Sequence, residues 1–180
     1  MTLPRLAAWP LVLALLGGCA VAPKSSPVLM GESLSGRLSV RVEAVDGAAA
    51  RSLSAAFELQ GNAKSGSFNL ATPLGTLLAQ ARWAPGQVVL ATPRGESSFT
   101  DLDELTREVL GESVPLVALF DWLRGRPWPG AASAALVPAT EPGFQQLGWT
   151  ISLARFDQDW VAAQREQAPA VTVRAKLDRP

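Results

Sequence analysis

The chain has no histidine, no tyrosine and a single cysteine, Cys19, among its 180 residues. Each absence removes a class of chemistry. Without histidine there is no Ser-His-Asp or Cys-His nucleophilic site, and no zinc site built on His or Cys. One cysteine forms no internal disulfide, so packing alone must hold the fold. Lys and Arg total 16 and Asp and Glu total 16, leaving no net formal charge. That balance offers no phosphate-tracking basic face, so nucleic acid is not an expected partner. Most of the basic residues are Arg, scattered singly along strands as on a solvated face. The glycines make no GxGxxG or phosphate-loop pattern. The aromatic residues, six Trp and six Phe, are bulky and mostly apolar.

What is present begins at the start of the chain. Arg5, an uncharged run from Leu6 to Leu16 and two small residues have the three parts of a secretory signal. The run closes on Leu16-Gly17-Gly18-Cys19. This ending resembles the bacterial lipoprotein signal, the lipobox. The resemblance implies that residues 1–18 are removed and that Cys19 carries an S-diacylglycerol and an N-acyl group, with no other cofactor. Three acyl chains anchor far more firmly than one. The residues themselves also admit an ordinary signal with a chance cysteine, a cytosolic helix, or an uncleaved anchor. The anchor would be a short, poor span, broken by Pro10, Gly17, Gly18 and Pro23. After cleavage about 160 residues remain, enough for one domain with a proper core. Residues 19–31, rich in small residues and Pro, form the lipidated N-terminus and a flexible tether. Residues 32–180 form a single domain.

From there the apolar residues recur at period two, the mark of half-buried strands. Leu38, Val40 and Val42 alternate with Arg37, Ser39, Arg41 and Glu43. Leu53, Ala55, Phe57 and Leu59 repeat the pattern, followed by Phe68 and Leu70, then Leu77, Ala79, Ala81 and Trp83. Val88 to Ala91 and a short strand ending at Phe99 follow Gly-containing turns. Toward the end come Leu147, Trp149, Ile151 and Leu153, then Val171, Val173, Ala175 and Leu177. Short links between alternating strands predict an antiparallel meander.

Two helices interrupt it. Thr100-Asp101-Leu102-Asp103 reads as an N-terminal cap, Leu102, Leu105, Val109 and Leu110 as an apolar stripe, and Gly111 as the stop. The second helix starts at Ser113, carries Pro115 in its first turn and ends near Gly125. It is apolar nearly all round, so it is either a central core helix or one that packs on the sheet and lines a cavity. Mainly β with inserted helices, the chain should roll into a barrel or a strongly curved half-barrel, plugged or capped by the helices. Inward alanines (Ala55, Ala79, Ala81, Ala175) leave room either for a cavity or for a helix.

The strand Gly36-Arg37-Leu38-Ser39-Val40, the turn Pro73-Leu74-Gly75-Thr76 and Trp83-Ala84-Pro85-Gly86 are joined by Asp101-Leu102, Pro115, Leu119 and Trp122-Leu123-Arg124-Gly125. In this order, behind a lipobox, the set resembles the LolB family of outer-membrane lipoprotein receptors. The resemblance implies an open antiparallel β half-barrel covered by an α-helical lid, enclosing an apolar cavity. It implies a monomeric receptor, lipid-anchored on the periplasmic face of the outer membrane. Such a receptor accepts triacylated lipoproteins from the periplasmic carrier LolA and inserts them among the outer-membrane lipids, without covalent catalysis. Outer rather than inner membrane rests on this resemblance; Ala20 stands where aspartate is the familiar retention signal. The chain departs from the pattern at its end, where little follows Leu177 to close the barrel.

Candidate cavity-lining residues are Phe57, Phe68, Trp83, Leu119, Phe120, Trp122 and Trp149, each of which is equally ordinary core. Thr72-Pro73-Leu74-Gly75 reads as a tight turn with a large aliphatic at its tip. Isolated surface leucines are normal; the resemblance implies that Leu74, set by Pro73 and Gly75, enters the membrane. Two other readings remain. One is a lipid-anchored enzyme using Asp101, Asp103 and Glu104, with Glu112 and Asp121 nearby, although carboxylates at a helix start are usually caps. The other is a structural lipoprotein that binds a partner through its Arg-studded strand faces.

Overall fold

In the first strand, β1 (Ser33–Val42), Leu38, Val40 and Val42 are buried while Arg37 and Arg41 face solvent. That alternation, repeated strand after strand, gives the sheet one apolar and one wet face. The computed structural model describes residues 33–179 apart from 46, 48 and 138–140. The signal segment, Cys19 and the tether lie outside the described residues.

Six strands form the first meander: β1, β2 (Arg51–Gly61), β3 (Gly66–Ala71), β4 (Leu77–Ala84), β5 (Gln87–Thr92) and β6 (Gly95–Phe99). The helices α1 (Leu102–Leu110) and α2 (Leu116–Trp122) follow. A second meander then runs through β7 (Ser133–Ala135), β8 (Gly143–Gln146), β9 (Trp149–Ser152), β10 (Trp160–Arg165) and β11 (Val171–Leu177). All belong to one sheet of order β6-β5-β4-β3-β2-β1-β11-β10-β9-β8-β7, antiparallel at every step. The seam between the meanders is the pairing of β1 with β11, from Gly36 opposite Leu177 to Val42 opposite Val171. At Gly36 the strands approach so closely that a Cβ would sit 2.1 Å from the Lys176 carbonyl oxygen.

The sheet curves without closing, leaving β6 and β7 as its two edges. The chain leaves one edge, passes through both helices and returns at the other. The helices therefore cover the concave face. α2 is the central core helix of the two alternatives, with Leu116, Ala118, Leu119, Phe120 and Trp122 all buried. Its rings meet both wings: Phe120 stands edge-on to Trp83 of β4, and Trp122 packs at 6.0 Å from Trp149 of β9. It begins at Leu116, with Pro115 at the cap rather than inside the first turn.

Three details differ from the sequence reading. The Leu177 strand is no edge but lies mid-sheet between β1 and β10, so nothing beyond it is needed to close the fold. Leu147 is not in a strand; it occupies the β8–β9 turn with a positive φ of 54°. A register shift between Leu70 and Ala71 sets Ala71 opposite Leu77 and puts Leu77 on the surface.

Candidate functional site

The β3–β4 hairpin ends in a tightly built tip. The Gly75 N–H donates to the Thr72 carbonyl at 2.9 Å, closing a turn with Pro73 second and Gly75 fourth. The Thr72 N–H reaches the Thr76 carbonyl, and the Thr76 N–H donates to the Thr72 hydroxyl. Gly75 has φ of 84°, a left-handed conformation costly for a side-chain-bearing residue. Held by this frame, Leu74 is 95% exposed. Leu77 and Leu78 are exposed on the same hairpin. Leu74 thus forms the aliphatic point of the tip, with two more exposed leucines at the start of β4. Sequence reasoning named Leu74 and missed the other two; the signal was the adjacent Leu77-Leu78 pair, which breaks strict alternation.

The strands of this hairpin run directly into an apolar chamber under α1. Its floor is Leu38 and Val40 of β1, Leu53 of β2, Phe68 and Leu70 of β3, Ala79 and Ala81 of β4 and Leu90 of β5. Its roof is Leu105, Thr106, Val109 and Leu110 of α1, with Leu116 of α2. Thr106 alone is polar. The chamber holds about 50 Å³. Leu70 and Ala79, the wall residues nearest the tip, flank Leu74 by only four and five positions.

Of the seven residues expected to line a cavity, Phe68 stands on this chamber wall. The structure buries Phe57, Trp83, Leu119, Phe120, Trp122 and Trp149 in the core beside it. Phe57 packs on Phe68 at 6.0 Å, the Trp83 indole N–H donates to the Asn62 carbonyl, and the Trp122 indole N–H donates to Gln146. The chamber itself is mainly aliphatic. Its residues Leu53, Leu90 and Leu105 carried a signal in the α1 stripe and in the alternation of the strands beneath it.

The acidic residues near α1 have structural work. The Asp101 side chain accepts from the Glu104 N–H at 2.7 Å, and Glu104 reaches back to accept from the Thr100 N–H at 2.6 Å. The first bond satisfies a donor that a helix start leaves unpaired, and the second ties the residue before the cap to the same turn. Asp103 lies in the same first turn, where the helix dipole favours negative charge. Glu112 pairs with Arg165 at 2.6 Å and Asp121 with Arg126 at 2.7 Å. Four of the five carboxylates are thus committed to a cap or an ion pair and Asp103 stands in the first helical turn, so structural roles account for all five.

A family model described as outer membrane lipoprotein LolB matches residues 33–177. The chain is 32% identical over 180 residues to the outer-membrane lipoprotein LolB of Bordetella pertussis, covering 94% of this chain and 90% of that protein. It is 35% identical over 153 residues to the protein of that name from Thiobacillus denitrificans, covering 80% and 79%. With its namesake from Ralstonia nicotianae it shares 30% identity over 181 residues, covering 93% and 83%.

Proposed function

The chain belongs to the LolB family of outer-membrane lipoproteins, and on that footing we propose how it works. It receives triacylated lipoproteins from the periplasmic carrier LolA, shelters their acyl chains beneath α1 and inserts them into the inner leaflet of the outer membrane. It is an outer-membrane lipoprotein of the lipoprotein-localisation system and not an enzyme. In this reading it is a monomer, acylated at Cys19, and the cargo's acyl chains and the membrane lipids are its ligands.

The physical problem is passage through water. A triacylated cargo exposes on the order of 45 methylenes, which at ~0.8 kcal/mol each cost roughly 35 kcal/mol if unprotected. A continuous apolar surface from carrier to bilayer removes that barrier, and no bond need be made or broken. The chamber supplies the surface, and its wall strands lead to the leucine tip.

In the described conformation the chamber is nearly closed. Its volume of about 50 Å³ is room for the centres of only a few waters, at about 10–15 Å³ each, so in this reading an acyl chain enters when α1 and the sheet separate. Leu102, Leu105 and Thr106 are buried toward its start, while Val109 near its end is exposed. The packed aromatics around α2 form the rigid frame against which this roof moves.

The observation that carries the proposal is Leu74, held fully in solvent by a hydrogen-bonded turn whose strands line the chamber. Burying one such leucine in lipid is worth about 1.5–3 kcal/mol. That is enough to orient the mouth toward the bilayer and too little to hold the protein there. Leu74→Glu should therefore leave folding and uptake from the carrier intact and lower delivery to liposomes at least about tenfold. Delivery at the unaltered rate would overturn the role of the tip.

A further inference from the structure

The wet face of the sheet carries a feature that transfer of acyl chains does not explain. Beside the hairpin tip lies a groove of about 290 Å³, bounded by Arg37, Ser39, Arg174, Trp160 and Pro73. That is near the lower end of the roughly 300–1,000 Å³ typical of small-ligand sites. Pro73 is the residue preceding Leu74, so the groove opens at the base of the tip.

Arg37 and Arg174 are diagonal neighbours on paired strands, since Arg37 stands opposite Lys176 and Ser39 opposite Arg174. Diagonal positions lie about 7–8 Å apart, within joint reach of one ligand. Both arginines are exposed, and among the described residues neither has a hydrogen bond or ion pair. Of the nearby carboxylates, Glu43 pairs with Arg41, Asp159 with Lys176 and Arg179, and Glu58 with Gln60 and Asn69, while the exposed Asp178 stands diagonal to Arg37 on the side away from Arg174. Like charges at neighbouring positions repel, and a phosphate between the two guanidinium groups would relieve that repulsion with charge-assisted hydrogen bonds. Trp160, with Arg155 stacked 5.3 Å from its ring centroid, adds the amphipathic ring that favours a membrane–water boundary.

The level of the groove selects its occupant. Ala71, where the chain leaves β3 for the tip, pairs with Ala56, and Ala56 pairs with Arg37. Two strand spacings, roughly 10 Å, therefore separate Arg37 from the root of the hairpin. With the leucines among acyl chains, a group at that root meets the headgroup layer. We propose that Arg37 and Arg174 bind the phosphate of an anionic outer-membrane phospholipid headgroup, so that the hairpin tip and the outer face of the sheet engage the bilayer together. The proposal rests on the reading of the tip as membrane-inserting.

The test reconstitutes the full acylated chain in vesicles of phosphatidylcholine, with or without phosphatidylglycerol, each holding a little lipid with a nitroxide on its headgroup. Quenching of Trp160 fluorescence is read as the difference between the parent chain and Trp160→Phe. Each arginine near an anionic surface strengthens association about fivefold. Quenching should accordingly rise several-fold with phosphatidylglycerol, and Arg37→Gln with Arg174→Gln should abolish that rise. Leu74→Glu should lower quenching in both vesicles. If Leu74→Glu has no effect while the double variant does, the tip reading fails and the groove stands. Equal quenching in both vesicles, or a rise retained by the double variant, overturns the groove. So does a double variant that quenches normally but slows handover from the carrier, which would make the occupant an acidic protein surface.

Discussion

Gln146 is almost completely buried, at 2% exposure, in a half-barrel whose interior is mostly hydrocarbon. It is tolerated because all its bonding capacity is used. Its oxygen accepts from the Trp122 indole N–H and the Trp128 N–H, and its amide nitrogen donates to the carbonyls of Trp128 and Ala131. One side chain thus ties α2 and the loop after it to β8. Gln146→Leu keeps the bulk and strands those partners, each worth about 1–3 kcal/mol when left unpaired. We expect a loss of at least about 3 kcal/mol, and a fall in Tm of roughly 6–12 °C for a domain of this size. Thermal unfolding checks it, and a Tm within a degree or two of the parent would refute the account. Nothing in the sequence marked this residue, because a lone Gln between strands reads as solvent-facing until its partners are known. Leu74 was legible for the opposite reason. A turn formula with an aliphatic at its tip is a local anomaly, visible without tertiary structure.

At the scale of elements, the first meander and both helices were legible because their signals are local. Glycine turns punctuate β3 to β6, alternation is clean, and α1 has a cap, a stripe and a stop within twelve residues of sequence (100–111). β7, β8 and β10 were not. β7 is three exposed residues, β8 buries a glutamine, and β10 shows only Val161 and Ala163 to the core. Their pairing comes from neighbours, not from their own pattern. α1 has a testable consequence as a roof that moves separately from the sheet. Removing its cap with Asp101→Ala costs about 1 kcal/mol. If α1 opens without global unfolding, its amides should exchange about fivefold faster in the variant while those of β1, β2 and β11 stay unchanged. Hydrogen exchange read by mass spectrometry separates the cases. Acceleration shared equally by α1 and β1 would mean that the roof does not move alone.

For the whole molecule, the decisive fact is that the first and last strands meet in the middle of the sheet while the edges are left to the helices. Burial of Leu74 supplies only about 1.5–3 kcal/mol, a factor of roughly 10–150 in partitioning. In the proposed reading the tether acylated at Cys19 holds the mouth at the membrane and raises the local concentration of lipid around the tip without adding a contact to the cargo. That division of labour predicts the behaviour of the mature chain with Cys19 replaced and no acyl groups. Uptake of cargo from the carrier should be unchanged, since the chamber and its roof are intact. Delivery should slow at low liposome concentration and recover as lipid is raised, because mass action replaces the tether. It should also lose its preference for the bilayer in which the anchor would have sat. Transfer assays over a range of lipid concentrations read this directly. Failure to take up cargo would show that the anchor is part of the receptor site, and delivery that stays slow at saturating lipid would show that the tether acts by more than concentration.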